Sequence, residues 1–102
     1  MDIGDVLKRL RIIYGIKASD MAKELELSTS YLSEIENNKK VPNIKLLEKY
    51  AKIYQIKVSS LILLAESHEE MKAKGKGDEF IRTLMIKLIN STYAIKKALH
   101  DE

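Results

Sequence analysis

Apolar residues recur along the N-terminal two thirds of this chain at intervals of three and four, the period that brings side chains onto one face of an α-helix. Ile3, Val6, Leu7, Leu10 and Ile13 make the first such stripe, with Asp2 placed to cap it and Gly15 placed to end it in a left-handed turn. Met21, Ala22 and Leu25 make a second stripe over Asp20 to Leu25. Glu26 and Leu27 break that period, and Ser28 follows as an N-cap for a third helix from Thr29 to Asn37. Leu32 and Ile35 of this helix face inward, which leaves Thr29, Ser30, Ser33 and Glu34 on the outward side and Tyr31 at its edge. Pro42 closes the next loop and Asn43 can cap a fourth helix, whose inner side is Ile44, Leu47, Tyr50, Ala51 and Tyr54. Ser59 or Ser60 opens a fifth, in which Leu61, Ile62, Leu63 and Leu64 are too apolar to be wholly exposed.

The pattern changes after residue 65. Residues 66–78 hold only Met71 and Ala73 as apolar side chains and include two glycines, so they read as a linker or a helix extension. Asp78 can cap a final helix from Glu79 to about Leu99. In it Ile81, Leu84, Met85, Leu88, Thr92, Ile95 and Leu99 follow the three/four spacing, and Ile86, Ile89 and Tyr93 add a second apolar patch. At about 1.5 Å per residue this helix spans roughly 30 Å. One docking face would not cover both patches. Association of two chains through residues 79–102 is therefore favoured over packing on the chain's own domain or on a different protein, with Ile81, Leu84, Met85, Leu88, Ile95 and Leu99 as the oligomerisation residues.

Composition narrows the class. A chain of 102 residues with 45% apolar and 6% aromatic content and a single proline favours an all-α fold with one modest core. Cysteine is absent, which excludes disulfides and thiolate metal sites and suits a reducing cytoplasm. No apolar run approaches the roughly 18 residues of a membrane span, and the acidic N-terminus argues against a signal peptide, so a cytoplasmic protein is expected. The net charge of +3 is modest, but the excess lies within residues 1–65 while residues 66–102 are balanced. No nucleophile–base–orienter set is visible. His68, beside Glu69 and Glu70, has no second histidine near it. No enzyme activity, cofactor or metal is expected.

Two short helices joined by three or four residues, the second thin and polar outside, are what entry into the roughly 12 Å wide major groove of DNA requires. The stretch AKELELSTSYLSEIENNKKVPNIKLLEKYAK resembles the core of the Cro/repressor (XRE-type) helix-turn-helix family of phage and bacterial regulators. The resemblance extends from about Ile3 to Leu64 and rests on the small-residue turn, the Ile35–Glu36 pair and Pro42. It implies a five-helix lambda-repressor-like DNA-binding domain over residues 1–65, to which the C-terminal amphipathic helix is added. It also implies that Arg11 and Glu36 form a structural ion pair tying the first helix to the end of the third. On this resemblance Thr29, Ser30 and Glu34 read bases, and Lys17, Tyr31, Asn37, Lys39 and Lys40 meet the DNA backbone.

The chain departs from the family at four places. Lys17 and Ala18 stand where the family usually has a Ser/Thr cap and a phosphate-holding glutamine; Ser19 could shift the cap inward, and Lys17 could meet phosphate as a flexible point charge. Asn38, Glu26 and Gln55 stand at family glycine positions; asparagine tolerates the left-handed conformation, so the turn at Asn38 is expected to be preserved, while Glu26 and Gln55 each either store about 1 kcal/mol of strain or sit in a different turn. The function expected is a sequence-specific, homodimeric DNA-binding repressor acting at an inverted-repeat operator. The alternatives are an antitoxin-like autoregulator whose C-terminal helix binds a partner protein, and an adaptor that kept the fold without DNA binding.

Overall fold

A computed structural model describes residues 3–80, 82, 83, 86 and 87. Five helices are defined: α1 Ile3–Ile13, α2 Ala18–Glu24, α3 Thr29–Glu36, α4 Ile44–Tyr54 and α5 Val58–Ala73. Residues 77–80 open a further helical stretch, and no strand occurs among the described residues. The proposed cap Asp2 and the residues Ile81, Leu84, Met85, Leu88, Ile95 and Leu99 lie outside the described residues.

The packing follows from the apolar stripes. α1 lies against both α3 and α5, α2 against α3, and α4 against α5. Val6, Leu7 and Leu10 from α1, Met21 and Leu25 from the α2 region, and Leu32 and Ile35 from α3 meet Tyr50, Tyr54, Leu61 and Ala65 in one continuous core. Tyr54 stacks on Tyr14 at 5.1 Å and on Tyr50 at 6.0 Å between ring centroids. Its hydroxyl donates to the Leu7 carbonyl at 3.3 Å. Burial pushes both the Tyr50 and Tyr54 phenols above the ordinary tyrosine range, because the charged form would lose its water.

Two helix starts match their caps: the Ser28 hydroxyl accepts from the Tyr31 amide at 3.1 Å, and Asn43 Oδ1 accepts from the Leu46 amide at 2.8 Å. Four sequence expectations are corrected. Helix α5 begins at Val58 with Lys57 as its N-cap, so neither Ser59 nor Ser60 opens it. Helix α2 begins at Ala18, with Lys17 as an N-cap that supplies no side-chain hydrogen bond, so Ser19 sits inside the helix and does not cap it. Ile13 and Ile44 are 38% and 59% exposed, because each lies at a helix end beyond the packed turns. Asp78 is not a cap either: the Phe80 amide bonds the Lys76 carbonyl at 3.0 Å, which starts the helical stretch ahead of Asp78.

Residues 66–73 are the last turns of α5. Among their charged neighbours His68 is buried, with its Nε2 3.7 Å from Asp5 of α1. Gly77 packs so closely on this histidine that a Cβ there would stand 3.2 Å from Nε2. Arg9 meets Asp78 at 2.6 Å and Asp5 at 3.5 Å. The end of α5 and the start of the next helical stretch are thereby fastened to α1.

Candidate nucleic-acid interface

Helix α3 owes its orientation to contacts at its C-terminal end. Arg11 reaches across from α1 and donates through Nε to Glu36 Oε2 at 2.7 Å and through Nη2 to Oε1 at 3.0 Å. Its third nitrogen donates to the Ile16 carbonyl at 2.9 Å, so one guanidinium joins α1, the segment before α2 and the end of α3. The two side chains are only 12% and 6% exposed. The hydrogen bond to Glu36 holds the Arg11 guanidinium charged, above its ordinary range, against the opposing effect of burial. A planar fork on a carboxylate fixes direction as well as distance, which a lysine at position 11 could not do.

A second tie lies beside it. Asn38 Oδ1 accepts from the Gly4 amide at 3.0 Å, one of the donors that the first turn of α1 leaves without a helical partner. Gly4 is tightly packed there: a Cβ would overlap the Ile35 carbonyl oxygen and the Asn38 side chain. Sequence reading missed Gly4, since a glycine inside a helical stripe ordinarily reads only as a weakness. Asn38 adopts the left-handed conformation at φ 60°, as do Glu26 at 59° and Gln55 at 57°. Asn38 also uses its side chain to tie the turn after α3 to the backbone of α1, whereas Glu26 lies 3.7 Å from Lys49 of α4 in an exposed ion pair.

The outward face of α3 carries Thr29, Ser30 and Ser33 in solvent, with Tyr31 38% exposed at the edge and Glu34 half-buried. Asn37 caps the C-terminus, its Nδ2 donating to Ser33 Oγ at 3.2 Å. The turn then folds back, the amides of Lys39 and Lys40 both donating to the Glu34 carbonyl at 2.8 and 3.2 Å. This places both lysine side chains in solvent next to the end of α3. Lys17 is exposed at the start of α2. Hydroxyls on a thin helix can bond several base edges, and the flanking cations suit phosphate. Among the described residues no group of acids and histidines could hold a metal ion. No helix there is long and apolar enough to cross a membrane.

Comparison with known proteins agrees with this geometry. The helix-turn-helix family matches residues 7–61, which run from within α1 through α4 to the start of α5. The HTH-type transcriptional regulator SinR of Bacillus subtilis (strain 168) is 37% identical over 68 residues, covering 66% of this chain and 60% of that relative. The chain thus spans about 60% of the length of the curated relative it matches. No solved structure matches the chain.

Proposed function

This chain belongs to the Cro/repressor (XRE-type) helix-turn-helix family of transcriptional regulators, and from that premise we propose that it is a homodimeric repressor acting in the cytoplasm at an inverted-repeat operator. The observation that carries the reading is α3 itself, an exposed polar helix whose far end is braced from α1 by the buried Arg11–Glu36 pair. Thr29, Ser30 and Glu34 contact base edges, while Lys17, Tyr31, Asn37, Lys39 and Lys40 position the DNA backbone. Residues 79–102 join two chains, through Ile81, Leu84, Met85, Leu88, Ile95 and Leu99. A two-fold arrangement then sets two α3 helices into successive major grooves about 34 Å apart, and occupation of promoter DNA blocks transcription.

Selection of duplexes from a random pool by the full chain tests this reading. Enrichment of an inverted repeat with half-sites about one helical turn apart is expected, together with a dimer in sedimentation. A pool that stays random after repeated rounds would sink it.

A further inference from the structure

Residues 66–78 read in sequence as a linker, yet they fold into the end of α5 and an elbow with close-packed walls. α5 ends in a glycine-closed turn: Gly75 takes φ 74°, its amide donates to the Lys72 carbonyl at 3.0 Å, and the Lys76 amide donates to the Met71 carbonyl at 2.9 Å. The next helical stretch begins at Gly77, so residues 74–76 are the whole of the turn. We infer that this elbow fixes the direction in which the stretch from Gly77 leaves the DNA-binding domain, and so selects the spacing between operator half-sites. The inference rests on the homodimeric, DNA-binding function proposed above and adds a specificity determinant to it.

Packing closes the elbow. Gly77 is buried against His68, itself only 1% exposed, and a Cβ at position 77 would stand 3.2 Å from both His68 Nε2 and Lys72 Cβ. The backbone of α5 is equally near, with Lys72 Cα at 3.3 Å, so a larger side chain would push the stretch off α5. Phe80 packs on the core one turn further on. On the side facing α1, Asp78 meets Arg9, and Arg9 also meets Asp5, whose carboxylate lies 3.7 Å from His68. Asp78 is 75% exposed, so its ion pair alone would hold little. It adds direction to a joint that packing closes.

Neighbouring residues show what that direction is. Asp78 lies beside Arg9, and Arg82, one turn later, shares a groove with Ile12 and Ile13. The stretch and α1 thus advance side by side in the same sense. Since α1 also supplies Arg11, the brace of α3, a segment tied to α1 is tied to the reader. Two readers related by a two-fold axis through residues 79–102 then stand at one separation and one twist. Each base pair added between half-sites turns the second by roughly 35° about the duplex and shifts it by about 3.4 Å, which a stiff elbow cannot follow.

The test uses the full chain and duplexes carrying the inverted repeat that wild type selects, with the spacer lengthened or shortened by one and by two base pairs. Wild type should lose about tenfold or more in affinity for a change of two, the scale of one mismatched base pair. Insertion of three glycines between Gly75 and Lys76 should shrink that loss to about threefold or less, because a glycine linker lets each reader follow its own half-site. Gly77→Val, which wedges the same joint apart, should broaden the spacing preference in the same sense. In both variants the preference for bases within a half-site should match wild type, since α3 and its brace are untouched. Lys74→Ala, exposed in the same turn, should leave the spacing profile as it is in wild type. Equal binding of every spacer by wild type, or a profile unchanged by the insertion, would overturn the elbow and leave the function standing. Failure of wild type to select an inverted repeat, or to dimerise, would instead overturn the function on which the inference rests.

Discussion

At its C-terminal end α3 is held by a bidentate ion pair, by the Asn38–Gly4 hydrogen bond and by a backbone approach that only glycine permits. At its N-terminal end it carries one hydroxyl cap, from Ser28, and borders an open cleft. The first end spends buried charge and close packing on orientation. The second keeps its side chains in water, where they are free to meet another molecule. A short helix can present a reading surface only if something else fixes its angle, and here the core holds Leu32 and Ile35 while the polar ties to α1 are made at the C-terminal end.

The largest effect should come from breaking the braced end. Glu36→Ala leaves the Arg11 guanidinium buried without its carboxylate, and loss of about 3–5 kcal/mol is expected in denaturant unfolding. A loss under 1 kcal/mol would mean that the pair does not hold the helix. Gly4→Ala comes next. Its methyl would displace either α1 or the Ile35–Asn38 turn, and overpacking of this kind costs about 1–3 kcal/mol. Calorimetry showing an unchanged midpoint would contradict the close contact.

A smaller effect of opposite sign separates the three left-handed residues. Gln55→Gly relieves a strained backbone without removing a joining contact and should stabilise by about 1 kcal/mol, while Glu26→Gly relieves the same strain but loses the exposed ion pair to Lys49, so its gain should be slightly smaller. Asn38→Gly relieves the same strain but loses the bond to the Gly4 amide, and its gain should be cancelled in whole or in large part. Equal stabilisation by all three would remove Asn38 from the brace.

The same contrast explains what could be read from the residues alone. Helix stripes and caps are local, and Ser28, Asn43 and the inward Leu32 and Ile35 declare themselves by spacing and by residue type. The outward face of α3 is legible for the same reason, as what the stripe leaves over. Gly4 is not, because its role depends on a carbonyl 31 residues away along the chain, at Ile35. His68 is hidden differently: α5 is apolar on nearly all sides in its first turns and charged on nearly all sides in its last, so no stripe announces that one polar residue turns inward. The cleft beside Ser28 joins the start of α3 to the start of α4, and the loop that brings them together carries no periodic pattern.

The most direct test of the division between the two ends is Ser30→Ala, measured by anisotropy on a panel of duplexes that vary one base pair at a time. Its hydroxyl is exposed on the reading face and remote from the brace, so stability should be unchanged while preference relaxes at one operator position, a change of about 1–3 kcal/mol there. An equal loss of affinity at every position would contradict the account, since it would make Ser30 a backbone or structural residue rather than a reader of sequence.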